Sequence, residues 1–324
     1  MPRRAFIQDA FHSKKARINR GLQNKAHSRR AVFSLFAGRF RRRRTGLGCR
    51  AEFCFTPGVI LSFNPVLRAD EHRLCAGRDP GAGDLAAIKR ASAVLLPQGR
   101  HESLWNAARA HCGHVFPEYS FRYSHPGKIG DGLLFSELGL PQPKTEIFRD
   151  PDQAPESYWR GLDYPVVVKG DAGGEGAEVH LVKSQAEAAP LMEIFAGMRA
   201  QGMAGFVVQE YVPDAARSLR VAVIGRDFSA YWRVGGPESF IHNLASGGEV
   251  DRESDPELMS AGTALVKRLC AGTGINLAGV DVIFRGETPL LLEINYYFGR
   301  EGLGGNEAYY AKLRSEVDDW LARR

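Results

Sequence analysis

The stretch "AGVDVIFRGETPLLLEINYYFGREGL", residues 278–303, sets two apolar segments around a short Arg-Gly-Glu-Thr turn, yet Asp281, Glu293 and Asn295 stand where core positions are expected. Side chains alternate along a strand, so Glu293 and Asn295, two apart, share one face while Leu292 and Ile294 take the other. A hairpin closed by Gly286, Glu287 and Thr288 pairs residue 285 with 289, and counting back sets Asp281 opposite Glu293. A register slipped by two sets it opposite Asn295 on the same face. Two carboxylates with Cβ atoms roughly 4.5–5.5 Å apart repel each other, and burying them unpaired is costly. A bound cation removes the conflict. Oxygen donors, few in number, suit Mg²⁺, with Mn²⁺ as an alternative; such an ion keeps waters and completes its shell with substrate phosphates. The competing reading is the solvent-facing side of an edge hairpin, and this segment alone does not separate the two.

The 324 residues are enough for two or three domains with a sizeable core, and 44% hydrophobic with 25% charged residues describes an ordinary globular chain. The net charge of +6 hides an asymmetry. Residues 1–50 hold 15 Lys and Arg against the single acid Asp9, which leaves 28 bases and 36 acids in residues 51–324. The basic stretch, with "KKARINR" and "GRFRRRR", has no sustained apolar period and is expected to be a disordered tail. Its charge suits nucleic acid or acidic lipid, but base-reading motifs and interleaved aromatics are missing, so specific nucleic-acid binding is not expected. "SRRAVFSLFAG", residues 28–38, resembles a twin-arginine signal whose apolar run is cut at once by Arg39–Arg44, so export is not expected; a start codon assigned too far upstream explains the tail equally well. No run approaches the ~20 apolar residues of a membrane span. Five cysteines without C-x-x-C spacing fit a reducing cytoplasm.

Short apolar runs at 59–64, 93–97 and 114–116, with helical stretches near 84–92 and 101–112, predict a small β-α-β unit over residues 51–125. Pro126 and Gly127 mark a boundary, and "KIGDGLLFSELG", 128–139, reads as a helix opened by Lys128. "YPVVVKG" and "AEVHLV" are strands joined by the loop "GDAGGEG"; a helix follows over about 184–199, placing a second segment at 126–205. A third, 206–324, begins with "FVVQEYV", continues through the alternating strands "SLRVAVIG" and "FSAYWRVG", and has helices at about 255–272 and 305–322 around the opening hairpin. The class is α/β, or α+β where the meander dominates.

Lys169 ends an apolar strand and is followed by Gly170, Gly173, Gly174 and Gly176. Glycines let backbone N–H groups approach phosphate oxygens, and a lysine adds charge. No helix opens at these glycines, so the loop is neither a Walker loop nor a dinucleotide fingerprint, and a plain hairpin turn is the alternative. Its position before "VVQEYV" and the acidic hairpin completes an order: Lys128, Lys169 with its glycine loop, Gln209-Glu210-Tyr211-Val212, Arg220, Arg233, Asn243, then Asp281, Glu293 and Asn295. Over residues 126–303 this order resembles the ATP-grasp superfamily, particularly the branch holding bacterial glutathione synthetase and the ribosomal-protein glutamate ligases.

The resemblance implies two lobes gripping ATP behind a small Rossmann-like domain. It implies that Lys128 and Lys169 contact the phosphates under a mobile loop of Gly173, Gly174 and Gly176, and that Glu210, Tyr211 and Val212 hold adenine, chiefly through backbone groups. Asp281, Glu293 and Asn295 would bind Mg²⁺, and Arg233 and Asn243 would line the reacting centre. Three departures stand out. Ser218 replaces the Asp of an Asp-x-Arg element, which moves ribose contact to Asp214; Glu175 puts negative charge in the phosphate loop; and "NYYFG" replaces N-x-x-P-G. The implied activity is an ATP-dependent carboxylate–amine ligase that takes ATP, a small-molecule or peptide carboxylate and an amine. A kinase acting on a hydroxyl and a non-catalytic nucleotide-binding or RNA-associated protein are the alternatives. Asp281 or Glu293 exchanged for its amide is expected to abolish turnover with the fold intact.

Overall fold

The computed structural model describes residues 58–99, 102–171, 178–200, 205–213, 217–235 and 248–324. The basic tail, Gly173, Gly174, Glu175, Gly176, Asp214 and Asn243 lie outside the described residues.

The first sheet is parallel, in the order β2-β1-β3-β4, from β1 (Val59–Ser62), β2 (Glu71–His72), β3 (Ala91–Leu95) and β4 (Val115–Phe116). Helices α1 (Ala82–Arg90) and α2 (Glu102–His111) make the crossovers, and Ile88, Leu104 and Ala108 pack on Leu61 and Val94. The two-residue β2 is absent from the sequence reading, because "EH" carries no apolar alternation.

Two helices, α3 (Ser120–Ser124) and α4 (Gly127–Glu137), lead to the second sheet. It is antiparallel, ordered β5-β8-β6-β7, from β5 (Thr145–Phe148), β6 (Val166–Gly170), β7 (Val179–Val182) and β8 (Phe206–Glu210), with α5 (Glu156–Arg160) and α6 (Gln185–Ala200) beside it. The sequence reading opens its third segment at 206, but β8 is hydrogen bonded between β5 and β6. An apolar run such as "FVV" shows that a strand is buried without showing which neighbour pairs with it.

The third sheet is antiparallel in the order β11-β10-β9-β12-β13, from β9 (Arg217–Ile224), β10 (Asp227–Val234), β11 (Glu249–Asp251), β12 (Leu277–Arg285) and β13 (Thr288–Asn295). Its faces divide by alternation along β9 and β12. Leu219, Val221 and Val223 of β9 and Ala278, Val280, Val282 and Phe284 of β12 form one apolar face, covered by Leu265, Val266 and Leu269 of α7 (Pro256–Thr273) and by Leu134 and Phe135 of α4. On the opposite face Ala222, Ile224 and Leu277 meet Tyr309, Leu313 and Val317 of α8 (Gly305–Ala322) and Leu95 and Phe116 of the first sheet. Further along, that second face turns polar and carries Arg220 and Asp281. Among the described residues no helix is long and apolar enough to cross a membrane.

Candidate nucleotide and metal site

The hairpin that opens the sequence reading places the acidic residues through a detail of register. Arg285 pairs with Thr288, Phe284 with Pro289, Ile283 with Leu290 and Val282 with Leu291; then Asp281 pairs with Glu293, Val280 with Ile294 and Gly279 with Asn295. The turn is thus a two-residue loop led by Gly286 at φ +57°, the position where a II′ turn takes glycine. The expected 285–289 pairing is off by one. A β-bulge at Leu292 inserts one extra residue and restores the expected Asp281–Glu293 pair. Without it Glu293 would lie opposite Val280 and project into the apolar core, since a one-residue slip exchanges the faces of a strand.

Asp281 is 1% exposed. Arg220 grips it bidentately, with Nε on Oδ1 and Nη2 at 3.0 Å from Oδ2, and Arg233 Nη2 lies 2.8 Å from Oδ2. Burial raises the Asp281 pKa, but the two guanidiniums outweigh it and bring the carboxyl down to about 2. Asn295 Nδ2 donates to Asp281 Oδ2 at 3.2 Å and to Glu293 Oε1 at 3.0 Å, so the three residues proposed as metal ligands converge. Gly279, opposite Asn295, leaves room for the arginine: a Cβ there would come within 2.7 Å of Arg220 Nη1. Arg233 also donates to Ser218 Oγ through Nη2 at 3.0 Å. Ser218 is therefore a buried acceptor for an arginine already committed to Asp281. Arg300 donates instead to neutral acceptors, Asn306 Oδ1 and Tyr310 Oη, both at 2.8 Å.

Lys169, at the end of β6, is buried, and its Nζ donates to Gln209 Oε1 at 2.8 Å. Gln209 is in turn oriented by donating from Nε2 to Thr145 Oγ1 at 2.9 Å. Burial is the main cause that lowers Lys169 to about 8, with the charge of Lys128 adding to it against the attraction of Glu293, Asp131 and Asp281. Lys128 Nζ donates to Gly170 O at 3.1 Å, and the Ile129 amide donates to Asp171 Oδ1 at 3.0 Å, so the first turn of α4 is tied to the strand end that enters the glycine loop. Asp131, one turn along from Lys128, is buried and accepts the Ile294 amide at 3.0 Å. Burial holds its pKa well above the ordinary carboxylate range. The sequence reading places Gln209 in its ordered set without giving it a role and does not single out Asp131, and "KIGDG" carries no motif that would mark a buried carboxyl.

Beyond Asp281 the same face of the hairpin becomes apolar. Ile283 and Leu290 pack with Val212, and Leu292 lies against them. The Glu210 amide donates to Lys144 O at 2.9 Å, and its carboxylate pairs with Arg285. Of the "NYYFG" residues, Tyr296 packs toward the core of α7, Phe298 joins the cluster around α8, and Tyr297 is 63% exposed. Among the described residues no group of three or more His, Cys, Asp or Glu side chains forms a metal cluster.

A family profile described as a RimK-like ATP-grasp domain matches residues 131–308, more than half of the chain. The chain belongs to the RimK-like ATP-grasp family. Members of similar sequence include a "Probable alpha-L-glutamate ligase" from Marinomonas sp., 31% identical over 179 residues, which are 54% of this chain and 57% of the relative. A second protein of that name, from Shewanella amazonensis, is 32% identical over 193 residues, 59% of this chain and 61% of its own. The chain thus spans less than two thirds of the length of these relatives. Among solved structures, the RimK-domain ATP-grasp protein from Sphaerobacter thermophilus superposes with a TM-score of 0.57 at 20% identity, covering 80% of this chain and 98% of that one. The D-alanine–D-alanine ligase from Bacillus anthracis gives 0.56 at 15%, covering 74% and 82%. At such identities the likeness establishes the ATP-grasp fold, and Lys169 and Asp281 both fall within the residues that the family profile matches.

Proposed function

We propose that this chain is an ATP-dependent carboxylate–amine ligase. The observation that carries the reading is the charge pattern on one face of the third sheet. Among the described residues Asp281 and Glu293 meet Arg220, Arg233 and Lys169, while burial holds the neighbouring Asp131 well above the ordinary carboxylate range, so the described site carries an excess of cationic groups. That balance attracts a polyphosphate and disfavours a bare divalent cation. Asp281, Glu293 and the Asn295 amide, turned to present Oδ1, fit an oxygen-coordinated Mg²⁺ or Mn²⁺ that arrives with phosphate ligands; such an ion would draw charge off the transferring phosphoryl group. The apolar slot of Val212, Ile283 and Leu290 suits an adenine ring, with the Glu210 carbonyl and Val212 left to read its edge because the Glu210 amide and carboxylate have protein partners.

Chemistry in such a site is positioning plus electrostatics. A substrate carboxylate oxygen attacks the γ-phosphorus, ADP leaves, and an amine then displaces phosphate from the acyl carbon and loses a proton as the amide forms. Arg233 is occupied by Asp281, so Arg300, whose hydrogen bonds go to neutral groups, is the better anchor for a substrate carboxylate. The names of the relatives support amide-bond formation with an amino acid. Free Cys75, Cys112 and Cys270 support a cytoplasmic setting.

Hydroxylamine trapping tests the reaction. With ATP, Mg²⁺ and a panel of amino acids and small carboxylates, the correct acid should yield a hydroxamate, and oxygen-18 from that acid should appear in the released phosphate. ADP release with no hydroxamate and no free phosphate, the γ-phosphoryl group being recovered on the acceptor, would identify a hydroxyl kinase instead.

A further inference from the structure

The bulge at Leu292 decides on which face Glu293 and Asn295 stand, and β13 is the edge strand of its sheet, so among the described residues its outer N–H groups have no neighbouring strand. Two of them are nevertheless satisfied. The Leu291 amide donates to Pro141 O at 2.9 Å, and the Ile294 amide donates to Asp131 Oδ2 at 3.0 Å. In a regular strand the amides pointing to one side are two residues apart. These are three apart, so the acceptors on α4 and just after it fit the strand only with its extra residue in place. A strand without the bulge would turn the residue-293 amide outward instead, and Glu293 with it would lose the face of Asp281.

One turn before Asp131, the start of α4 is fixed at Gly170 and Asp171, where β6 enters the glycine loop. One helix therefore links the phosphate side of the site to the strand bearing Glu293 and Asn295. A buried carboxyl is an expensive way to fill the space at position 131, where an apolar residue would be cheaper. Burial holding its pKa well above the ordinary range agrees with that cost.

We propose that Asp131 is a positioning residue: by accepting the Ile294 amide it holds the bulge at Leu292, and so keeps Glu293 and Asn295 on the face of Asp281. The proposal rests on reading those residues as metal ligands, and its test separates the two ideas. Calorimetry first establishes whether the wild-type full-length chain binds Mg·ATP; if it does not, the functional reading fails whatever Asp131 does. Hydrogen exchange is then followed in a peptide spanning residues 289–296, a readout that needs no metal. Asp131→Ala should speed exchange of the Ile294 amide by at least about tenfold and raise the Mg²⁺ needed for half-maximal ATP binding by about 10–100-fold, the range seen when a group orienting a metal ligand is lost. Asp131→Asn keeps an acceptor oxygen and should stay within about threefold of wild type in both measurements. Unchanged exchange in Asp131→Ala overturns the proposal. So does an Asp131→Asn variant that needs over about tenfold more Mg²⁺, because charge and not the hydrogen bond would then be the operative property. Should Asp131→Ala fail to fold, that second arm decides alone.

Discussion

Replacing Asp281 by Asn removes one negative charge from a carboxylate that two guanidiniums share. The side chains of Arg220, Arg233 and Asp281 are 8%, 11% and 1% exposed, so solvent does little to replace the lost partner. Breaking a buried pair by removing one member typically costs about 3–5 kcal/mol, because the other charge stays behind uncompensated. A second route gives a similar size: a carboxyl brought from 3.8 to about 2 contributes roughly 2.5 kcal/mol at 1.36 kcal/mol per unit. That contribution is present above the unfolded value near 3.8 and is lost as pH falls through about 2. The Asp281→Asn variant should therefore melt about 6–20 °C below wild type, at roughly 2–4 °C per kcal/mol for a chain of this size, and should lose the wild-type acid dependence of stability in that window. Differential scanning calorimetry between about pH 2 and 7 reads both. Glu293→Gln is the contrast, since Glu293 is only half-buried and makes no ion pair within 4.0 Å among the described residues; it should lose activity with less than about 1 kcal/mol of stability. On this reasoning the expectation that the fold is left intact is kept for Glu293→Gln and replaced, for Asp281→Asn, by a marked loss of stability. A melting point for Asp281→Asn within about 2 °C of wild type would refute the reasoning, since the arginines could then be discharging elsewhere.

Lys169 titrates near 8 without nucleotide, whereas phosphates favour its charged form, so ATP binding should take up a proton above that pH and weaken by about tenfold per unit. Calorimetry at about pH 9 in buffers of different ionisation enthalpy should show the uptake, and Lys169→Met should abolish it; an affinity independent of pH up to about 9.5 would exclude Lys169 from phosphate contact. Because Arg220 and Arg233 already offset Asp281, Mn²⁺ titrated into nucleotide-free protein should bind more weakly than about 1 mM, and Mn²⁺ with ADP far more tightly. Tight binding of the bare ion, read by its electron paramagnetic resonance signal, would count against the charge balance described for the site.

Period-two alternation made the strands around the site legible, because β6, β9, β10 and β12 each bury one face or both and change side with every residue. The same signal is silent about partners. "FVVQE" reads alike in either sheet, and the two-residue β2 has no pattern at all. Asp131 was illegible for a different reason: its partner is a main-chain amide on a strand more than 160 residues away, and no side-chain motif encodes such an acceptor.

The hairpin shows how a correct site can follow from an incorrect count. Reading three residues into the turn shifts every pair by one, and omitting the bulge shifts the upper half back, so the two errors cancel at Asp281 and Glu293. The cancellation has a physical cause. Glu293 on the face of Val280 would bury a charge among Leu219, Val221 and Val282, whereas on the other face it meets Arg220, Lys169 and Asn295. Whatever the turn does, the strand must adjust until the carboxylates face the arginines. Given a two-residue turn led by Gly286, one residue has to be absorbed between Val282 and Asp281. Leu291 and Ile294 both belong to the apolar core although they are three apart, and that spacing already marks Leu292 as the residue left over.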